Sequence, residues 1–313
     1  MRLGFLTHVA GAGDDARAVY RETIELAVAA EEFGYDSFWV AQHHLGAQGA
    51  SAPSPFVLLA AIAERTTRIR LGTAVVVAPT EHPIRLAEDA AALDTLSAGR
   101  LELGLGAGSD PATFEAFGVP YQARHARLRE TVDTVLDLLT GADLVPSAPT
   151  LRDRIWLGTG SPEGIAWAVE RGLGILSGRR SSGPAGPLPG DREAAEHLAR
   201  YTPTRVALSR PVHPGASTAL TERLIPWITR GRAAGRFPVD FTPTDYLAIG
   251  NMYTGTPQTV ARSLRADPGY PHATELLCHT QPARLPPAAL LPVMRRTAHE
   301  VRPLLRAAAA EVT

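Results

Sequence analysis

The chain has 313 residues and no lysine, so all 31 of its basic residues are arginine. Without a lysine amine there is no Schiff-base chemistry and no pyridoxal-phosphate linkage. A phosphate loop ending in Gly-Lys-Ser/Thr is excluded on the same ground, as is the lysine-based ion pair of protein kinases. Cysteine is almost as scarce. The single Cys278 allows no internal disulfide, no Cys-x-x-Cys redox pair and no multi-cysteine zinc site. A cytoplasmic setting is expected. A formal net charge of −1 gives no global basic field, so a dedicated nucleic-acid binder is not expected. No apolar run approaches the roughly 18 residues of a membrane span. The opening MRLGFLTHVAGAGDD has too short an apolar stretch for a signal-peptide core. Gly-x-Ser-x-Gly and His-Glu-x-x-His are missing, and Gly-x-Gly-x-x-Gly fails where Gly104, Gly106 and Gly108 are followed by Ser109.

What is present is enough apolar sequence, 45%, to bury a large core. Alanine, arginine, glycine and proline are abundant, as a GC-rich coding sequence would give, and this weakens Gly and Pro as punctuation. Strand and helix signals alternate throughout. Leu3 to Val9 reads as a strand. Asp14 and Asp15 offer a cap for a helix with Val19, Thr23, Leu26, Ala30 and Phe33 on one face, closed by Gly34. Ser37 to Ala41 is a second strand, and Ser54-Pro55 opens a helix over Phe56 to Arg65. Ile69 to Ala78 is a third strand, with Arg70, Gly72, Ala74 and Val76 at alternate positions. Pro83 opens the third helix and Gly99 ends it.

In the fourth strand, Leu101 to Gly106, Leu101, Leu103 and Leu105 share one face and Glu102, Gly104 and Gly106 the other. The leucines should pack on helices, and the bare face suits a barrel interior that meets a flat ligand. Arg70 and Glu102 are expected either to pair in the lower barrel or to be two solvated charges. Further strands are read at Ile155 to Thr159, Gly174 to Ser177, Arg205 to Leu208 and Ala273 to His279. Helices are read over Ala123 to Leu139, Pro162 to Arg171, Thr218 to Ala234, from Thr256-Pro257, and over Pro287 to Arg306. Gly178 to Gly190 is a loop insertion after strand six, either a mobile lid or a plain surface loop. Roughly eight strand–helix units with no break in composition predict a single (β/α)₈ barrel over 1–313.

In such a barrel the site lies at the C-terminal ends of the strands. That rule selects His8, Gln42-His43-His44, Val75 to Pro79, Gly106 to Asp110, Gly160-Ser161 and the loop after Ser177. Residues adjacent on a strand face opposite ways, so His43 and His44 should not share a metal, and no metal site is predicted. One of them is a catalytic histidine at the mouth, or both are structural. Gly158 to Gly164 is either a phosphate-binding turn at a helix start or an ordinary Ser-Pro cap. With no lysine, any phosphate must be held by backbone donors and an arginine, and Arg179 or Arg180 could supply the charge.

Trp39-Val40-Ala41-Gln42-His43-His44 resembles the Trp-x-x-Glu-His-His segment of the bacterial luciferase-like flavin monooxygenases. Leu71 to Val75, Pro79 to Pro83, Glu88-Asp89, Leu93-Asp94, Ser97-x-Gly99-Arg100, Phe114-x-x-Phe117-Gly118, Gly255 to Gln258 and Val301-x-Pro303 are also similar, in order. The resemblance implies a luciferase-like barrel that uses reduced FMN as cosubstrate. It would activate O₂ as a 4a-hydroperoxyflavin and oxidise a small organic substrate, an aldehyde among the candidates. It implies that His43 supports this chemistry, that Ala74–Val75 is a non-proline cis peptide beneath the flavin, and that Gly160, Ser161 and Gly164 bind its phosphate. An apolar mouth of Val75, Val76 and Val77 would exclude water. Gln42 and the strand-four end at Gly106 and Ala107 belong to the same cofactor set, with Arg180 as a phosphate anchor. Gln42 replaces the family's Glu, and Ala107 stands where a phosphate-binding Arg is found. A separate NAD(P)H:flavin reductase and a homodimer through helices two and three are implied as well. The alternatives are an F420-dependent hydride-transfer enzyme, whose branch often shows Ser-Asp-His instead, and a non-catalytic flavin-binding homologue.

Overall fold

A computed structural model describes residues 1–11, 15–178, 189–201, 205–215, 218–248, 252–283 and 285–310. Its strands are β1 (Arg2–Thr7), β2 (Ser37–Val40), β3 (Arg70–Thr73), β4 (Val76–Val77), β5 (Leu101–Gly106), β6 (Ile155–Gly158), β7 (Gly174–Gly178), β8 (Val206–Pro214), β9 (Tyr253–Gly255) and β10 (Glu275–His279). All pair in parallel. With β3 and β4 as one interrupted strand, the order β1-β2-β3/β4-β5-β6-β7-β8-β10 returns to β1 and closes an eight-position barrel. β9 lies outside it, on the overhanging end of β8. The expected (β/α)₈ barrel is therefore present.

The helices are α1 (Ala16–Glu32), α2 (Pro55–Ala63), α3 (Pro83–Leu96), α4 (Pro111–Ala116), α5 (Arg124–Thr140), α6 (Pro162–Glu170), α7 (Pro189–Tyr201), α8 (Thr218–Ala233), α9 (Pro243–Ala248), α10 (Pro257–Arg265), α11 (Pro287–Arg296) and α12 (Arg302–Ala310). Many open on proline, which fills the first helical position where no N–H partner is needed. Asp15, Asp110, Ser161 and Thr256 cap their helices with a side-chain oxygen. On α1, Val19, Thr23, Leu26 and Ala30 are buried, as their spacing predicts. No helix among the described residues is long and apolar enough to cross a membrane.

Several boundaries differ from the sequence reading. The strand read at Arg205 to Leu208 runs on to Pro214, and α4, α9 and β9 were not foreseen. The last helix is broken by a π turn at Thr297–Val301. The loop read as Gly178 to Gly190 gives way to α7 at Pro189, and 179–188 lie outside the described residues. A satellite core of Leu224, Ile228, Phe237, Phe241 and Tyr246 forms under α8 and α9.

Leu101, Leu103 and Leu105 face the main core between strands and helices. Glu102 faces the barrel's lower interior and pairs there with Arg70. Arg2 bridges Glu102 and Glu275 at 3.3 and 3.1 Å, and Trp156 Nε1 donates to Glu102 at 2.6 Å. Ser37 Oγ donates to Glu275 and accepts from Trp39 Nε1 at 2.7 Å. Burial, opposed by Arg2, raises the Glu275 carboxyl above the usual carboxylate range. Above this layer, Trp39 and Trp156 cross edge to face with centroids 5.8 Å apart. A Cβ at Gly72 or Gly174 would collide with one of these rings, so glycine there makes room for the plug.

The third strand departs from a regular ladder. Gly72 pairs with Glu102 and Val76 with Leu105, leaving three residues on one side opposite two on the other. The extra residue forms a bulge at Thr73–Val75. The buried Thr73 hydroxyl repairs the gap, accepting from Gly104 N and donating to Gly104 O, both at 2.9 Å. Beyond the bulge the alternation is inverted. Ala74 and Val75 both touch the inner cluster, and Val76 is buried in the outer core. The expected mouth of three valines is corrected accordingly, since Val76 does not belong to it.

Candidate active site

The peptide joining Ala74 to Val75 is cis, as the resemblance implied. Val75 is seated against two bare backbones. A Cβ at Gly106 would lie 2.5 Å from Val75 Cγ2, and one at Gly158 would lie 2.8 Å from Val75 Cγ1. Above Ala74 and Val75 opens a mouth cleft of about 180 Å³, walled by His8, Gln42, His43, His44, Val77 and Phe114. Asp110 reaches the same cleft, but it is tied to the cap of α4, where it accepts from Thr113 N at 3.1 Å and Thr113 Oγ1 at 2.6 Å.

Gln42 is fixed at both ends of its amide. Its oxygen accepts from Val77 N at 2.6 Å, and its nitrogen donates to Glu81 at 2.9 Å and to Pro53 O at 3.1 Å. The amide thus clamps the chain just after the bulge to the segment after β2. A carboxylate at 42 would keep the Val77 bond but face Glu81 with like charge.

His43 Nε2 and His8 Nδ1 are 3.2 Å apart with the rings stacked at 5.4 Å. His279, at the end of β10, meets His8 at 6.0 Å. Burial, reinforced by His43, pushes His8 down to about 4. Burial, reinforced by His8 and Arg210, pushes His279 down to about 3. His43 is lowered by burial and by His44, while Asp110 pulls the other way. His44 is lowered by burial against the pull of Glu81, and its ring meets Phe117 edge-on at 4.7 Å. At neutral pH the group is a set of neutral imidazoles able both to donate and to accept. His43 and His44 both line the cleft because the chain has left the strand after Val40, contrary to the alternation argument. No grouping of three or more metal-ligating side chains occurs among the described residues.

Of the predicted site residues, Gln42, His43, Ala74 and Val75 come together in the cleft. Gly106 lies beneath it, making room for Val75, and the Ala107 methyl packs against the outer core. Gly160, Ser161 and Gly164 form the start of α6 without lining the cleft. Ser161 Oγ accepts from Gly164 N at 3.1 Å, and Thr159 Oγ1 accepts from Ser161 N at 3.3 Å. A Cβ at Gly164 would run into the Thr159 hydroxyl, so glycine keeps this turn compact. Arg179 and Arg180 lie outside the described residues. The sequence reading passed over His279, although it ends a barrel strand just as His8 follows one.

The site fits a flat, partly polar ring. The floor is small and apolar, and the walls carry imidazoles. A profile of the luciferase-like monooxygenase family matches residues 1–269. The chain is 36% identical over 189 residues to a 4-hydroxyprotoasukamycin monooxygenase of Streptomyces nodosus subsp. asukaensis, covering 59% of this chain and 50% of that protein. It is 31% identical over 193 residues to the oxygenase component of a flavin-dependent trigonelline monooxygenase of Acinetobacter baylyi, covering 56% and 53%. The chain thus spans about half the length of these curated relatives. The fold is similar to the oxygenating constituent of 3,6-diketocamphane monooxygenase from Pseudomonas putida, solved with FMN (TM-score 0.77, 21% identity, covering 97% of this chain and 98% of that one). It is also similar to a coenzyme F420 dependent tetrahydromethanopterin reductase from Methanopyrus kandleri (TM-score 0.70, 18% identity, covering 96% and 98%).

Proposed function

Because the chain belongs to the luciferase-like monooxygenase family, we propose that it binds reduced FMN in the mouth cleft and uses it with O₂ to oxidise a small organic substrate, aldehydes being the first class to assay. The observation that carries this reading is the cleft over Ala74 and Val75, with an apolar floor and neutral histidines on its wall. When bound, the flavin supplies the redox chemistry. The chain binds, shields and handles protons. Ala74 and Val75 support the ring from below, and Val77 and Phe114 keep water from it. His43 holds or moves a proton at its ring nitrogens. The hydroxyls of Thr159 and Ser161, with Arg180, receive the phosphate.

The Acinetobacter relative, named as an oxygenase component, supports a separate NAD(P)H:flavin reductase as the source of reduced flavin. A homodimer through α2 and α3 belongs to the same reading. α2 is apolar on every side, yet Val57 is 72% exposed, and Ile84 and Leu96 at the two ends of α3 are exposed as well. The cytoplasm is the compartment that suits a chain with one buried thiol.

The likeness to the Methanopyrus reductase supports a second reading, hydride transfer with F420 and no oxygen. Anaerobic titration with reduced FMN and with F420, followed by exposure to ¹⁸O₂ with an aldehyde panel, separates the two. Tighter binding of reduced FMN and ¹⁸O in the product are expected, with His43→Ala lowering kcat by about a hundredfold or more. Tighter binding of F420 with no oxygen uptake would overturn the proposal.

A further inference from the structure

His8 stands between two spaces. On one side it walls the mouth cleft with His43. On the other it lines a larger cavity of about 810 Å³ between α1, α8 and the segment after β10. Among the described residues it is the only one to line both. Its Nδ1 faces His43 Nε2 at 3.2 Å. We propose that His8 is a positioning residue that fixes the tautomer of His43 and passes protons between His43 and water in the larger cavity. Its role in turnover rests on the oxygenase reading above, whereas the proton path can be observed without flavin.

An imidazole can take a proton on one ring nitrogen while releasing one from the other. A proton taken by His8 from cavity water is balanced by the one leaving its Nδ1 for His43 Nε2. His43 then releases one from its other nitrogen into the cleft. One proton enters and one leaves, no heavy-atom bond is broken, and the reverse passage uses the same two rings. The arrangement resolves a conflict in the site. A cleft that shields a reactive group must exclude water, yet its acid–base residue must exchange protons with solvent. A relay through the barrel wall supplies the second without opening the first.

The groups facing the pair are consistent with transit. On the cleft side these are His44, beside His43, and Asp110 after β5. His279 approaches His8 from β10, with Arg210 of β8 behind it. Across the larger cavity stand Glu22 of α1 and Glu222, Arg223 and Arg230 of α8, two charges of each sign. His8 and His43 are both held below the ordinary histidine range, so a proton passes through them rather than resting there.

The test uses ¹⁵N-histidine-labelled, flavin-free protein, with the His43 resonances assigned from a His43→Gln sample. In the wild type, His43 should show a single tautomer, and its ring N–H should exchange with water readily. His8→Phe should give mixed tautomers and slow that exchange by about a hundredfold, the low end of what a positioned acid–base group contributes. Added free imidazole, which the larger cavity can admit, should restore the rate. His8→Gln can keep a hydrogen bond to His43 but cannot relay, so it should preserve the tautomer and still exchange slowly. Exchange at the wild-type rate in His8→Gln overturns the relay, as does an unchanged tautomer in a folded His8→Phe. Failure to bind FMN would instead defeat the oxygenase reading and leave these results standing.

Discussion

Gln42→Glu would install the residue that the family's Glu-His-His pattern has at this position, and the structure predicts that this chain will not tolerate it at alkaline pH. The new carboxylate would keep the Val77 N–H as a donor. It would also face Glu81 across the 2.9 Å now spanned by an amide hydrogen bond. Two like charges at that separation repel by roughly 6 kcal/mol at an effective dielectric of about 20. Taking up a proton instead costs about 1.4 kcal/mol per pH unit above an ordinary glutamate value of about 4.3, so roughly 5 kcal/mol at pH 8 and about 1 at pH 5. Glu81 is only half-buried and can turn toward water, which discounts the repulsion. The net loss should be about 3 kcal/mol at pH 8 and about 1 kcal/mol at pH 5. The sign follows from linkage. The shared carboxyl titrates higher in the folded state than in the unfolded one, so the folded state binds the extra proton and stability falls as pH rises. Urea unfolding of wild type and variant at pH 5, 6.5 and 8, followed by tryptophan fluorescence, measures the difference. A gap that does not change with pH, or no gap at pH 8, would refute the reasoning.

Thr73→Val keeps the shape of the side chain but strands both backbone groups of Gly104, so a loss of about 2–3 kcal/mol is expected in urea midpoints, whereas Thr95→Val on the surface of α3 should cost far less. Glu102→Ala leaves Arg70 and the Trp156 N–H without their buried partner, and a loss of about 3–5 kcal/mol should appear in the same assay. His279 titrates lower folded than unfolded, so the unfolded chain binds more protons over the interval between. Stability is therefore full above about 6.5 and is lost as pH falls toward about 3. His279→Phe should flatten that acid limb in a pH series of thermal midpoints, and an unchanged slope would count against the assignment.

The barrel was legible because its signals are local. Leucine alternating with glycine and glutamate in β5 states which face meets helices and which meets the interior, and the structure agrees residue by residue. His43 was legible as a histidine just past a strand. Val76 was misplaced because a period of two presumes an unbroken ladder, and nothing in a run of three valines shows a bulge. The clamp by Gln42 was hidden for another reason. Its partners, Pro53, Val77 and Glu81, belong to three separate stretches that only the closed barrel gathers. His279 carries no motif, but the strand-end rule that found His8 would have found it too. The helix α8 was legible over Thr218 to Ala234 despite Pro226 within it, whereas the six-residue α9 is too short to show a helical period.

The bulge at Thr73–Val75 has a consequence for altering this protein's chemistry. It divides the third strand into two reading frames of opposite parity. Upstream, even-numbered side chains point to the barrel axis, whereas at the far end Val77 faces the cleft and Val76 the surrounding helices. A substitution library meant to reshape the chamber should therefore vary 75 and 77 and leave 76 alone. Deleting one residue from 73–75 would merge the frames into a regular ladder in which Val76 still lies opposite Leu105 and Val77 still faces the chamber, so the deletion would remove the seat at 74–75 while leaving both valines where they are.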